Sequence, residues 1–273
     1  NPYDSEITAK AHYWKAEALY NLEKYDEATA DYIIYTEAAP IAAELSLIEN
    51  KPFAYYSLAY SFYNQKKYSE ARTYFSSSIA AFNQLPDALK YSVAFKKTYP
   101  DAMLRLADCY YLMRSFDRAL KHYRSVFEKS SRGADYALYQ SSVIYGLEGK
   151  KDPFKKIELL GILIKNYSWS NYSDDALFEL GDTYFANENA DSAIHYFKRV
   201  QDQHPGSLLG RKALLKLALI YFNNNELDLS NDQCSILLTQ YPETAEGKEA
   251  INIIKKIFVA KGEVEDLVIL LKE

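Results

Sequence analysis

The chain has 273 residues with 9 Gly, 8 Pro and 26 Tyr, a balance that speaks against strands and long loops and for helices. Its formal net charge of −5 comes from mixed signs without a long run of either. That disfavours nucleic acid, because neutralising phosphates takes a clustered basic stripe.

No apolar run approaches the roughly 20 residues of a membrane span. ELLGILI at 158–164 and LVILL at 267–271 have helix-core lengths. Taken in order, the chain repeats a helical hairpin. From Ala9 to Pro40 it places a small residue at Ala16 and Leu19 three later. Tyr25 and Ala28 then open a second helix, with Tyr32 four beyond. The small position recurs at Ala59, Ala107, Ser142, Gly181, Ala218 and, by register alone, Lys255, in steps of 43, 48, 35, 39, 37 and 37 residues. The first two steps are the longest, so residues 40–51 and 83–100 are expected to be insertions. Each is amphipathic enough for an extra helical turn or two, with Pro86 placed to open such a helix. The repeats then fall near 9–40, 52–83, 100–131, 135–167, 174–205, 211–242 and 248–273. The second (Tyr55, Leu58, Ala59, Phe62, Tyr68, Ala71, Phe75) and the third (Met103, Leu106, Ala107, Tyr110, Phe116, Ala119, Tyr123) are clear. The fourth keeps Tyr145 but carries two glycines and Pro153 in its hairpin turn, and its second helix lacks the small seam residue.

The plainest window is 177–205, with Leu177-x2-Leu180-Gly181-x2-Tyr184, then Ala193-x3-Phe197, then Pro205. The tetratricopeptide repeat (TPR) has Trp-x2-Leu-Gly-x2-Tyr, Ala-x3-Phe and a late Pro at these positions. Only Leu177, standing for Trp, departs from it. Leu214, Leu217, Ala218, Tyr221 and Pro242 lie 37 residues further on, and Ile251, Ile254 and Phe258 repeat the step. Helical periodicity alone does not produce a common offset. The chain resembles a TPR protein over nearly its whole length. The resemblance implies an all-α fold, an α-solenoid (right-handed superhelix) of about seven TPR-like hairpins, forming a single solenoid over 1–273. Ala11, Tyr13, Trp14, Glu17, Tyr25, Ala28, Tyr241 and Pro242 resemble bacterial cell-envelope members of the family, of the Tol–Pal coordinator and outer-membrane assembly lipoprotein type. That implies a periplasmic or outer-membrane setting, with the cytoplasm as the alternative. Pro2 stands where the last Pro of a preceding repeat would stand, and LVILLKE ends without a polar cap. The chain is therefore expected to be a piece of a longer array.

No catalytic constellation is present. His12, His122, His195 and His204 are scattered over different repeats without metal spacing, and no phosphate loop, nucleophile elbow or zincin motif occurs. Cys109 and Cys234 read as small buried apolar residues. Asp174 and Asp175 read as helix-start acids. A non-enzymatic protein without cofactor or metal is expected.

In TPR proteins the first helix of each hairpin lines a concave groove, so the resemblance implies where a partner would bind. The inward trios are Tyr13, Glu17 and Tyr20; Tyr56, Tyr60 and Tyr63; Leu104, Asp108 and Tyr111; Phe178, Asp182 and Phe185; Leu215, Leu219 and Phe222. Each is spaced i, i+4, i+7 on one helical face. Such an aromatic file suits an extended or helical peptide, with basic side chains against Asp108, Asp175, Glu179 and Asp182. The last residue of each trio could equally be core. The pattern that clamps a terminal carboxylate, Lys and Asn at the first two positions, is missing. The leading expectation is a scaffold for other proteins or peptide segments. A glycan or peptidoglycan binder with tyrosine stacking platforms and a purely structural spacer are the alternatives. The frame itself is testable. Ala59→Leu, Ala107→Leu and Ala218→Leu should each overpack a helix contact and cost about 1–3 kcal/mol in denaturant unfolding, whereas replacing Lys15 or Lys121 should change little.

Overall fold

The computed structural model describes residues 2–38, 45–129 and 132–263. All regular structure among them is helical. The chain divides into two compact units, 1–144 and 145–273. The first holds α1 (Pro2–Asn21), α2 (Tyr25–Ala38), α3 (Leu45–Asn64), α4 (Tyr68–Gln84), the short α5 (Asp87–Lys90), α6 (Val93–Leu112), α7 (Phe116–Phe127) and α8 (Ala134–Ile144). The second holds α9 (Pro153–Asn166), α10 (Ser173–Ala186), α11 (Ala190–Gln203), α12 (Leu208–Asn223), α13 (Leu227–Gln240) and α14 (Ala245–Lys261). Within each unit, successive helices pack as hairpins, and each second helix leans on the first helix of the next hairpin. Both units have this all-α helical-repeat solenoid construction.

The seam of each hairpin is built where the small residues stand. Ala16, Ala59, Ala107 and Ala218 are fully buried, as are their second-helix counterparts Ala28, Ala71 and Ala119. At Gly181 even a methyl group would not fit, because a Cβ there would lie 2.7 Å from the Phe197 ring. Lys255 does not continue this seam; it is exposed, and α14 packs through Ala250, Ile253, Ile254 and Ile257 instead.

Seven residues beyond each small position the backbone turns left-handed. Glu23, Lys66, Arg114, Glu188 and Asn225 have φ between 57° and 63°, and Gly149, seven after Ser142, has φ 81°. Each non-glycine turn closes with a Schellman-type pair of hydrogen bonds, such as Lys24 N–H to the Leu19 carbonyl (2.9 Å) and Glu23 N–H to that of Tyr20 (2.9 Å). The same bonds recur as Lys67 to Phe62, Ser115 to Tyr110, Asn189 to Tyr184 and Glu226 to Tyr221. Three hairpins add an offset-stacked ring pair behind the turn. These are Phe62–Tyr74 at 5.4 Å, Tyr110–His122 at 5.2 Å and Tyr184–Tyr196 at 5.5 Å, all within 6° of parallel.

The long spacing between the second and third hairpins becomes helix. Over 83–100 the chain forms α5, directly after Pro86, and the first two turns of α6. Ser92 caps α6, its Oγ accepting from Phe95 N–H at 3.1 Å. Pro52 and Pro100, each seven residues before a small position, consequently lie inside α3 and α6. Pro153 is likewise within α9, at its first turn after the Asp152 cap. The expectation for 40–51 is described only from residue 45 onward, and LVILLKE lies outside the described residues.

The 37-residue step is anchored by Ser207 and Thr244, which cap α12 and α14. Their oxygens accept from Gly210 and Gly247 N–H at 2.9 and 3.1 Å. A Cβ at either glycine would strike a backbone carbonyl oxygen, of His204 at 2.3 Å and of Tyr241 at 2.2 Å. The left-handed turns give a stability prediction. Lys66→Gly and Glu188→Gly relieve a Cβ clash worth about 1–2 kcal/mol, partly offset by greater unfolded-chain freedom. Each should raise unfolding stability by about 0.5–1 kcal/mol in urea titration, while Lys67→Gly, one residue on, should not.

Candidate functional site

In unit 1 the first-helix faces carry carboxylates that are already occupied by neighbouring repeats. Glu17 on α1 accepts from the Tyr32 hydroxyl of α2 at 2.7 Å and the Ser57 hydroxyl of α3 at 3.0 Å. Asp108 on α6 occupies the same repeat position. It accepts from Tyr123 of α7 at 2.5 Å and Tyr136 of α8 at 2.9 Å, and it pairs with Arg105. Each carboxylate thus ties its own hairpin to the next. Between them the polarity reverses. In the second hairpin the matching second-helix ring is Phe75, which has no hydroxyl, and the position of Glu17 and Asp108 is Tyr60. Tyr60 and Tyr56 both donate to Asp101 of α6, at 2.6 and 2.7 Å.

These bonds correct the expectation that Asp108 meets a basic side chain of a partner. Asp108 is 3% exposed. A basic partner side chain cannot reach it without displacing Arg105 and two phenols. Burial holds its carboxyl above the ordinary carboxylate range, against the opposing pull of Arg105 and of the two phenols. Tyr13 is half-buried, its ring 5.1 Å from that of Tyr35, and burial next to Glu17 raises its hydroxyl well above the usual tyrosine range. His12 is likewise internal in function, 2.6 Å from Asp31 Oδ1.

In unit 1 the third residue of each trio serves the turn. Tyr20 meets Tyr25 at 5.5 Å, Tyr63 meets Tyr68 at 5.5 Å and Tyr111 meets Phe116 at 5.9 Å. Each pair bridges the end of a first helix and the start of the second, beside the left-handed residue. All three tyrosines are half-buried.

Unit 2 is built differently. Phe178 is an interior residue, 9% exposed, its ring 5.5 Å from Phe197. Phe197 again has no hydroxyl, so Asp182, at the Glu17 position, turns to the next repeat. Lys216 Nζ of α12 lies 2.6 Å from its Oδ1. That oxygen has no directional hydrogen bond, so the contact is one of charge. Glu179 pairs with Lys156 of α9 at 2.5 Å. Asp175 has no cation beside it among the described residues. Burial, Asp174 and Glu179 raise its carboxyl above the usual range.

Between α9, α10 and α12 these groups border a cleft of about 330 Å³. Its walls combine Tyr145, Pro153 and Phe185 with Lys151, Lys156 and Lys216 and with Glu179 and Asp182. The Lys216 ammonium lies 5.8 Å from the Phe185 ring centroid. The sequence pointed to Phe185, Glu179 and Asp182 but not to the lysines: Lys156 and Lys216 come from helix positions outside the trios, and Lys151 from the link before α9. Cys109 and Cys234 are both buried, and burial pushes each thiol up to about 12, so neither is a reactive thiolate at neutral pH.

Three stretches, 55–83, 101–130 and 178–243, match models of the tetratricopeptide repeat. The chain is a tetratricopeptide repeat protein. Solved structures share the fold at low identity. The chain is similar to YrrB, described as a TPR protein with an unusual peptide-binding site (18% identity, 74% of this chain and 89% of that one, TM-score 0.51). It is similar to pilF of Pseudomonas aeruginosa (12% identity, 90% and 97%, TM-score 0.55) and to the apo form of RapI (14% identity, 95% and 71%, TM-score 0.63). No curated protein matches the chain.

The TPR frame makes Asp108 a joint between repeats, and this can be measured. Asp108→Ala leaves Arg105 and two phenols short of their acceptor and should cost about 3 kcal/mol or more in unfolding stability. The pH dependence follows in sign. The folded chain binds the Asp108 proton more tightly than the unfolded one, so this residue's contribution falls as pH rises from the ordinary carboxylate value through the raised folded value. Asp108→Asn should remove that part of the slope from stability curves recorded across the window.

Proposed function

We propose that this TPR protein is a non-enzymatic scaffold that binds a peptide segment of a partner protein, with the 145–273 unit supplying the binding cleft. The observation that carries the reading is the contrast between the two units. Unit 1 uses its first-helix carboxylates and phenols to join its own repeats. In unit 2 the corresponding surface opens into a cleft of about 330 Å³ with apolar rings and both signs of charge along its walls, within the range of sites that take a few side chains. Two α10 carboxylates there are already matched by Lys156 and Lys216, and Lys151 is left over. A segment with an apolar anchor for Phe185 and an acidic residue for Lys151 fits better than the basic peptide expected from the sequence. The similarity to YrrB, whose description names a peptide-binding site, favours the same class. A bacterial envelope setting belongs to this proposal and rests on the residues around Tyr13 and Tyr241 that resemble envelope TPR proteins.

One observation favours the glycan reading. Both tryptophans are exposed, Trp14 by 67% and Trp169 by 78%, with Tyr13 and Tyr167 edge-on beside them. Isolated exposed rings of this kind suit sugar stacking.

Selection of a displayed peptide library on the immobilised chain separates the two. Enriched peptides should carry an apolar and an acidic residue and should bind the Lys151→Glu/Phe185→Ala variant roughly tenfold or more weakly. They should bind Trp169→Ala unchanged. If no peptide is enriched, or enriched peptides ignore the cleft variant, the proposal fails. Retention of peptidoglycan fragments that is lost in Trp169→Ala would put the glycan reading in its place.

A further inference from the structure

A second polar cleft lies in unit 1, between α4 and α6, on the other side of the hairpins from the carboxylate joints. It has a volume of about 430 Å³ and is lined by Arg72, Thr73, Ser76, Ser77, Ala80 and Tyr110. Thr73, Ser76, Ser77 and Ala80 follow the i, i+3, i+4, i+7 rule and share one face of α4. Tyr110 closes it from α6. The back of its ring is covered by His122, stacked 5.2 Å away. Burial and Lys121 hold His122 below its usual protonation range, so it backs the ring as a neutral plane.

The positive charge comes from two arginines on the same ring. Arg72 lies 6.0 Å and Arg118 of α7 lies 5.8 Å from the Tyr110 centroid. Neither guanidinium has a carboxylate partner among the described residues. Some other cations of this unit do have such a partner. Arg105 pairs with Asp101 and Asp108, Lys15 with Asp31, and Arg124 with Glu128. A guanidinium offers five N–H donors and no acceptor, and here no acid lines the cleft to use them.

The hydroxyls complete a donor set. Thr73, Ser76 and Ser77 at present donate to the carbonyls of Ser69, Arg72 and Thr73, at 3.0, 2.9 and 3.2 Å. Those carbonyls also accept the helical N–H four residues on, so a hydroxyl that swings away leaves no carbonyl unsatisfied. Three rotatable O–H groups, a phenol and an unpaired guanidinium, with a second guanidinium adding its field, call for a compact anion with several acceptor oxygens. A carboxylate would use one guanidinium edge and leave the hydroxyls idle.

We propose that this cleft is a binding site for a phosphoryl group, with Arg72, Ser76 and Ser77 as direct donors and Arg118 as the second charge. A phosphate monoester carries nearly two negative charges and three acceptor oxygens at neutral pH, which matches the donor set. This site is separate from the unit 2 cleft and does not depend on the peptide reading.

The full chain, labelled with ¹⁵N, would be titrated with inorganic phosphate, with phenyl phosphate and, at equal ionic strength, with sodium chloride. Saturable shifts centred on the Arg72 side-chain N–H and the amides of Thr73, Ser76 and Ser77 are expected with phosphate but not chloride. Tighter binding of phenyl phosphate would mark a phosphorylated organic ligand, and equal binding the free ion. The Arg72→Gln/Arg118→Gln variant should bind roughly tenfold or more weakly. Ser76→Asp, which places a fixed anion beside Arg72, should abolish binding while leaving the thermal melt in place. Shifts that fail to saturate, that chloride reproduces, or that persist in both folded variants would overturn the assignment.

Discussion

The close approach of two helices at a small residue is the constraint on which each hairpin depends. At Gly181 the Phe197 ring fills the space a Cβ would need; at Ala16, Ala59, Ala107 and Ala218 only a methyl group is admitted, and it is fully buried. In five hairpins the two helices are joined by three residues. The backbone reverses through one left-handed residue at a fixed distance of seven from the small one. Five of the six turns place Glu, Lys, Arg or Asn there rather than glycine, accepting strain of about 1 kcal/mol each. The aromatic staples Tyr20–Tyr25, Tyr63–Tyr68 and Tyr111–Phe116 sit across the same turns.

What joins one hairpin to the next is chosen by a single oxygen. Where the second helix presents a tyrosine, as at Tyr32 and Tyr123, the first helix answers with Glu17 or Asp108, which also reaches the following repeat. Where it presents Phe75 or Phe197, the answering residue has no local donor and turns outward, as Tyr60 to Asp101 or Asp182 to Lys216. A buried carboxylate without such donors would carry a desolvation cost of several kcal/mol, so the tyrosine and the acid have to appear together. It accounts for Tyr32, Tyr56, Tyr60, Tyr123 and Tyr136, each of which donates to a carboxylate. It also explains why Asp108, on an apparently acidic face, is not free for a partner.

The hairpin frame was legible in the sequence because it rests on residue size and spacing. The small positions, the seam residues Ala193 and Phe197, and the 37-residue step of the last repeats are all visible in the letters. The long first helices were harder. Pro52 and Pro100 look like boundaries, yet helix α6 begins at a Ser92 cap two turns before its proline. The candidate site was legible only in outline. Spacing gives Glu17, Asp108 and Asp182 the same position in their repeats, but whether a carboxylate is free depends on which donor faces it from another helix. Tyr136 lies 28 residues from Asp108 and Lys216 lies 34 from Asp182, and neither belongs to the repeat's defining pattern. The pairing of Phe with an outward residue, and of Tyr with an inward acid, could have been noticed by comparing the repeats with one another.

The most direct test of this account is a double-mutant cycle between Asp108→Ala and Tyr136→Phe, read by equilibrium unfolding. If the acid of one repeat is held by the phenol of the next, the two substitutions are coupled by about 1 kcal/mol or more. Costs that simply add, within about 0.3 kcal/mol, would contradict it: the carboxylate would then not depend on its neighbour, and Asp108 would be free for a partner after all.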